Sequence, residues 1–359
     1  MLIFENDFPF TENYPLERIG KREQLLFFDI ETTGFSGDLN RVYLIGAVYF
    51  KENCAHYIQW FADTVKAETE IIESFFRLMS SFRVLVHFNG DTFDIPFLLK
   101  RCRALKLQYN FDHIESFDIL KQIRPYKGRL GLENMKQKTI EAFLKIERED
   151  KYNGGQLIAV YEDYLGSRDD RLMRLLLLHN EEDLKGMPGL LPILFYPDFF
   201  RQKFTLSKLR KACSDTPRLI LSLDGDPLTK LPVPIKAYVP SYAFMAAGSS
   251  LELSIKIYEG TLKYYYPNYR DYYYLIYEDT AIHKSVGEYV DKDARIKATK
   301  ETCYTKKSGM FLPQPGTVWT PEFKNSCKDK NSFFEFHEEA FYDPDALNKY
   351  IEMIWSQLF

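Results

Sequence analysis

Apolar residues cluster in three early runs, LLFFDIE from Leu25, VYLIGAVYF from Val42 and HYIQWFA from His56, whose length and aromatic or β-branched content predict strands. AETEIIESFFRLM, from Ala67, instead carries its apolar positions at helical spacing. RVLVHF, from Arg83, predicts a fourth strand, and a helix follows it at Asp94-Ile95-Pro96, where proline suits the first turn. Three strands before the first helix predict an antiparallel meander, to which helical crossovers add parallel strands. The expected fold class is α/β, a mixed sheet flanked by helices.

From Leu130 to about Leu194 the pattern is helical, and RDDRLMRLLLLHNEEDLKGM is its last long segment. Proline and glycine then punctuate PGLLPILFYPDFF, and the texture changes near Pro197 to Phe204. Two domains are expected, 1–200 and 201–359. The second reads as a smaller α+β domain: RLILSLDG, IKAYV, LELSIKIYEG, TLKYYY and YYYLIY are short β-rich runs separated by turn residues such as Asp224-Gly225 and Pro267-Asn268, and DPDALNKYIEMIWSQLF predicts a helix.

A chain of 359 residues with 45% hydrophobic and 16% aromatic residues has ample material for such cores and is excluded from the disordered class. Net charge is -4, so no global positive field advertises a nucleic-acid partner, and any such site must be local. Cys54, Cys102, Cys213, Cys303 and Cys327 are odd in number, far apart and without a CxxC spacing, which favours a reducing compartment. The opening MLIFENDFPF lacks the basic and apolar regions of a signal peptide, and no apolar run approaches the roughly 20 residues that span a bilayer. A soluble, cytoplasmic protein without a membrane partner is expected.

Candidate chemistry begins in LLFFDIETTG, where period-two geometry puts Leu25, Phe27, Asp29 and Glu31 on one strand face and Phe28 and Ile30 on the other. Two carboxylates leaving a strand that is apolar on both faces either hold a divalent cation, which turns a desolvation cost into binding, or sit at a solvated strand end. In VLVHFNGDTFDIPFLLK, Asp94 is a candidate helix N-cap that can also reach the sheet edge carrying Asp29, and Asp91 is its rival. In RLMRLLLLHNEEDL, Leu172, Leu176, His179 and Asp183 share one helical stripe, while Asn180, Glu181 and Glu182 take flanking and outer positions. There the alternative is a satisfied core His-Asp pair.

Together, FFDIETTG, HFNGDTFDIPFL and HNEED resemble, in order, the three exonuclease motifs of the DnaQ-like, ribonuclease H-like exonucleases with four acidic ligands. More narrowly, the stretch from Leu25 to about Leu194 is similar to the YprB-type ribonuclease H-like domain, with SFDILKQIRPY, GLENMKQKTIEAFLKIERED and HNEEDL as further points of likeness. The resemblance implies a two-metal 3'-5' exonuclease. Asp29, Glu31, Asp94 and Asp183 would hold two Mg2+ or Mn2+ ions about 4 Å apart, one activating water and the other stabilising the leaving 3'-oxygen. His179 would be the general base, taking a proton from that water. Thr32, Thr33 and Gly34 would pass close to the terminal nucleotide, and Asn89 would touch it. His179 precedes Asp183 by four positions, the spacing of the tyrosine branch, where the histidine branch usually has five. Asp118, in SFDIL, is expected to cap a helix.

In the second half, Tyr264 to Tyr266 and Tyr272 to Tyr274, beside Lys263 and Arg270, are either single-strand stacking surfaces or half core. The lysine-rich stretch from Lys284 to Lys307 is expected to be a solvated helix face that can also guide a strand. The leading expectation is a hydrolase acting on single-stranded or frayed nucleic-acid ends. The competing ones are a nucleic-acid or protein binding module with weak or no catalysis, and a structure-specific nuclease that needs a helicase.

Overall fold

The structure, a computed structural model, describes residues 1–51, 54–147, 154–212 and 216–359. Cys213 and the last three residues of GLENMKQKTIEAFLKIERED lie outside them. Two compact units divide the chain, Met1–Asp198 and Phe199–Phe359.

The first unit is built on a six-stranded mixed sheet. Its strands are β1 (Leu2–Phe8), β2 (Leu25–Thr32), β3 (Val42–Lys51), β4 (Cys54–Phe61), β5 (Val84–His87) and β6 (Glu115–Asp118), in the order β1-β4-β3-β2-β5-β6. From β1 to β2 all neighbours are antiparallel, while β5 and β6 join parallel to β2. The helices α1 (Glu68–Met79) and α2 (Asp94–Leu105) make the crossovers that parallel pairing requires. Meander and parallel extension therefore follow the sequence pattern. β1 does not: its residues are mostly exposed, with Glu5 and Asp7 on a sheet edge, and an edge strand of that kind carries little hydrophobic signal.

Because β2 is central, both of its faces are covered. Leu26, Phe28 and Ile30 pack with Ile71 and Phe75 of α1 and Leu98 of α2. Asp29 and Glu31 alternate with them and face the helix Asp170–Leu190. On that second side Tyr43, Leu44 and Phe61 pack against Leu157, Tyr161 and Leu176.

At the start of α1 the buried Glu68 is gripped by Arg101 of α2, with Nε donating to Oε1 at 2.7 Å and Nη2 to Oε2 at 2.8 Å. Glu68 also accepts the Val42 amide at 3.0 Å, and Arg101 Nη1 donates to the Gly37 carbonyl at 3.1 Å. The planar fork thus ties α1, α2 and the start of β3 together, a geometry that a lysine ammonium lacks. Arg101→Lys keeps the charge but strands part of this network, and should cost about 1–3 kcal/mol, read as a lower denaturant midpoint with an unchanged slope.

The second unit is β-rich. A five-stranded antiparallel sheet runs in the order Thr205–Ala212, Arg218–Asp224, Ser250–Lys256, Tyr242–Gly248, Leu231–Tyr238. Tyr258–Tyr265, Tyr304–Gln314, Ser332–Glu335 and Phe323–Lys324 close a small barrel, and Thr280–His283, Tyr272–Leu275 and Arg295–Lys297 form a three-stranded sheet. The helix Pro344–Leu358 is N-capped by Asp343, which accepts the Asp345 amide at 3.0 Å, and it seats Trp355 on Phe244 of the larger sheet.

One expectation for this unit changes. The lysine-rich stretch is no helix face, since it spans one helical turn at Lys284–Gly287 and the strands Arg295–Lys297 and Tyr304–Gln314. Several of its cations are engaged: Lys284 and Arg295 lie over the Tyr273 ring, Lys306 pairs with Asp279 and Lys307 with Glu335. The tyrosines, all half-buried, pack on one another: Tyr266 stacks on Tyr272 at 4.6 Å, and Tyr265 and Tyr274 meet Tyr304. Among the described residues no helix is long and apolar enough to cross a membrane, and Cys54, Cys102, Cys303 and Cys327 are free thiols.

Candidate functional site

Asp29 and Glu31 project from the end of β2 because the strand's period of two alternates them with Phe28 and Ile30, which the core claims. The helix Asp170–Leu190 brings the second half of the site. It is N-capped by Asp169, which accepts the Arg171 amide at 2.9 Å, and it lays His179 and Asp183, one turn apart, against the strand end. His179 Nε2 lies 3.5 Å from Glu31 Oε1 and 3.6 Å from Asp183 Oδ2. One ligand-type atom from each of Glu31, His179 and Asp183 falls within 4.8 Å of the others. His179 is thus inserted between two carboxylates, not set beside a single partner in the core.

Asp94 arrives from the other side of β2. It is the first residue of α2, while the N-cap position belongs to Phe93, whose side chain makes no capping bond. The N-cap expectation for Asp94 is corrected accordingly: its carboxyl is buried and felt by the Ile30 backbone. Burial pushes the Asp94 pKa up to about 7, with the Ile30 and Asp94 backbones pulling it back and the Asp118 charge adding to the rise. Asp29 is also pushed well above the usual carboxylate range, by burial first and then by Asp94, Glu31 and Asp183, while a hydrogen bond from Asn180 opposes the shift. The three charges that act most strongly on Asp29 are all carboxylates.

The turn before α2 has its own supports. Asp118 caps the helix α3 (Ile119–Ile123), accepting the Lys121 amide at 3.3 Å, as expected, and it also accepts the amides of Asn89 at 3.0 Å and Asp91 at 3.3 Å. Asn89 has a φ of +69° and takes the Thr92 hydroxyl on its side chain, so the structure shows it as a turn-former. Buried His87 accepts the Gly90 amide at Nδ1, which leaves Nε2–H to face Ser116 Oγ at 2.8 Å. Asp91 takes the Ser116 hydroxyl and Lys121, which engages this rival of Asp94 away from the acidic cluster. Beyond β2, Thr32 donates to the Gly34 carbonyl at 2.7 Å and the Thr33 amide to Arg41 at 2.9 Å. A Cβ on Gly34 would stand 2.6 Å from the Asn40 side chain, so that turn admits no side chain there without displacing Asn40.

Two residues of the site escaped the pattern reading. Asn180, assigned to a flank, is fully buried, and its Nδ2 donates to Asp29 Oδ2 at 2.8 Å. Its signal was Gly46 in the middle of β3, since a glycine inside a strand marks close approach by another chain segment. Tyr43 is the extra residue of a β-bulge opposite Glu31 and Thr32, where the register jumps from Leu44 to Val42. It therefore packs on the same side as Leu44, with its hydroxyl 3.5 Å from Glu31 Oε2 and its ring stacked 4.3 Å from Tyr161. Burial, then Glu31, raises its phenol pKa, so the hydroxyl keeps its proton and can donate.

Hard oxygen donors that repel one another, with Glu31 and Asp94 buried and Asp29 and Asp183 partly so, are a donor set for Mg2+ or Mn2+, and divalent charge would relieve the repulsion on Asp29. By donor chemistry, Asp29, Glu31, Asp94 and Asp183 fit such ions.

Residues 26–194 match the family model of the RNase_H superfamily. The mixed sheet with its flanking helices is a ribonuclease H-like fold, followed by a further β-rich unit. Among curated proteins, the chain is 34% identical over 118 residues to a DNA polymerase of Thermococcus litoralis, covering 29% of this chain and 7% of the relative. It is 29% identical over 190 residues to DNA polymerase 1 of Pyrococcus abyssi, covering 47% of this chain and 24% of the relative. The chain therefore spans less than a quarter of the length of either polymerase. Among solved structures, the family B DNA polymerase of Pyrobaculum calidifontis aligns with a TM-score of 0.38 and 12% identity over 67% of this chain and 33% of that one.

Proposed function

We propose, starting from the ribonuclease H-like fold of the first unit, that the protein is a 3'-5' exonuclease. In this reading it hydrolyses phosphodiester bonds at single-stranded or frayed nucleic-acid ends with two Mg2+ or Mn2+ ions held by Asp29, Glu31, Asp94 and Asp183. The observation that carries it is the meeting of Glu31 and Asp183 around His179, with Asp29 under the combined field of Asp94, Glu31 and Asp183. The narrower YprB-type likeness belongs to the same proposal. The similarity to DNA polymerases favours DNA as the substrate.

When bound, the ions supply Lewis-acid activation of the attacking water and charge stabilisation at the leaving 3'-oxygen. The chain's own residues do the rest. Its four carboxylates hold negative charge at one strand end, which the fold tolerates at a cost in desolvation. His179, wedged between Glu31 and Asp183, receives the proton from the attacking water at its imidazole nitrogen. The Thr32–Gly34 turn, closed by the Thr32 hydroxyl on the Gly34 carbonyl, is where the terminal nucleotide would pass, with Asn89 as its second contact.

Single strands labelled at the 5' end test this directly. With Mn2+ or Mg2+ they should shorten one nucleotide at a time into a ladder, and excess EDTA should stop the reaction. Internal cuts without a ladder would overturn the exonuclease reading. Tight binding without hydrolysis of any end would favour the binding module.

A further inference from the structure

The three central antiparallel strands place Asp29, Gly46 and Gln59 directly opposite one another, in one row across β2, β3 and β4. The middle member has no side chain, and the gap over it is filled by Asn180 from the helix Asp170–Leu190. A Cβ on Gly46 would lie 2.2 Å from both Asn180 Oδ1 and Leu184 Cδ1. From that position Asn180 spans the row: its Nδ2 donates to Asp29 Oδ2 at 2.8 Å, and its Oδ1 accepts Gln59 Nε2 at 2.9 Å. Gln59 is nearly fully buried and also donates to the Leu177 carbonyl at 2.9 Å, one turn earlier on the same helix.

The direction of this chain matters. An amide can present either its oxygen or its NH2 to a neighbour. Gln59 Nε2 can only donate, so it fixes Asn180 with the oxygen toward Gln59 and the NH2 toward Asp29. A flipped Asn180 would set an oxygen against the Asp29 carboxylate and a donor against the Gln59 donor, two repulsive contacts in place of two bonds. One Asp29 oxygen is thereby committed to Asn180, which sets the rotation of the carboxyl and so where its other oxygen points.

We propose that Asn180 is a positioning residue for Asp29, locked in its working orientation by Gln59 and admitted to the sheet by Gly46. This deepens the metal-dependent reading of the site and rests on it. Residues that orient metal ligands typically contribute 10–100-fold in metal affinity. The same three positions also explain why the carboxylates of β2 and the helix that carries His179 and Asp183 keep one register: the lock joins the strand to the helix at residues adjoining the site.

The test is a double-mutant cycle read by Mn2+ binding, measured by calorimetry or by the free-ion spin-resonance signal. Asn180→Ala should weaken Mn2+ uptake by about 10-fold or more. In an Asp29→Asn background the same change should cost less than about 2-fold, because the carboxyl it orients is gone. Gln59→Leu, which leaves Asn180 in place but frees its amide to turn, should give a smaller loss of the same sign, and it is the variant to read should Asn180→Ala unfold. Equal losses in both backgrounds, or unchanged Mn2+ affinity in both single variants, would show that Asn180 and Gln59 merely dock the helix. A wild-type protein that takes up no Mn2+ would overturn the metal-dependent reading itself, and this inference with it.

Discussion

Asp29→Asn should abolish metal-dependent hydrolysis and, in the same preparation, make the metal-free protein harder to unfold at pH 8. Both results come from one property. Burial, then Asp94, Glu31 and Asp183, hold the Asp29 carboxyl well above its usual range, and Asp94 is pushed up to about 7. For a carboxyl whose folded pKa lies above its unfolded value, the folded state binds more protons than the unfolded chain between the two. Stability therefore falls as pH rises across that window. For Asp94 the window opens near the ordinary aspartate value of 3.8 and closes at about 7, so the full penalty is present above neutrality. It is on the order of a few kcal/mol for such a shift. Removing the Asp29 charge lifts its own share and part of the share borne by its neighbours. Thermal scans in EDTA should show the wild-type midpoint rising as pH falls from 8 toward 5, with a shallower slope in Asp29→Asn. Adding Mn2+ at pH 8 should raise the wild-type midpoint, because a ligand that binds only the folded state stabilises it. A variant that still shortens DNA, or that melts earlier than wild type in EDTA at pH 8, would remove Asp29 from the centre of the site.

Much of this arrangement is legible in the sequence because β2 is an extreme case. An eight-residue strand buried on both faces leaves two carboxylates nowhere to go but a polar site, and HNEED on a leucine-striped helix supplies the partner element. What escapes is set by contacts between elements. The helical stripe counted through Leu172, Leu176, His179 and Asp183 is too narrow for a helix that sinks onto Gly46, so Asn180 is buried where a helical wheel places it on a flank. Tyr43 reaches Glu31 through a bulge, and a bulge shifts the period of two that the pattern relies on. Asp94 reads as an N-cap from local preference, but besides its own backbone the carboxyl meets that of Ile30, on a strand distant in sequence. In the second unit the tyrosine runs, considered alone, leave open whether the rings face a ligand or one another. Folded, Tyr266 and Tyr272 stack on each other, and Asp279 binds the hydroxyls of Tyr274 and Tyr304.

His179→Ala should slow hydrolysis by roughly 100-fold or more while leaving Mn2+ uptake close to wild type. The expectation follows from where the ring sits. At 3.5 Å from Glu31 and 3.6 Å from Asp183, Nε2 is farther than an ordinary N–H···O bond yet confronts both carboxylates across a buried gap. A base must stand at the edge of the reacting centre, close enough to receive a proton and without being consumed as a ligand. The competing role is a nitrogen ligand, since Glu31, His179 and Asp183 are near enough to share one ion. The two roles separate cleanly in measurement: removing a ligand weakens Mn2+ binding and turnover together, whereas removing a base lowers the rate at saturating Mn2+ and leaves the binding isotherm in place. His179→Ala should therefore part company with Asp29→Asn, which abolishes turnover and weakens Mn2+ binding without eliminating it, since Glu31, Asp94 and Asp183 remain. A matched loss of affinity and rate in His179→Ala would make the histidine a ligand, and the proton acceptor would have to be sought elsewhere around the strand end.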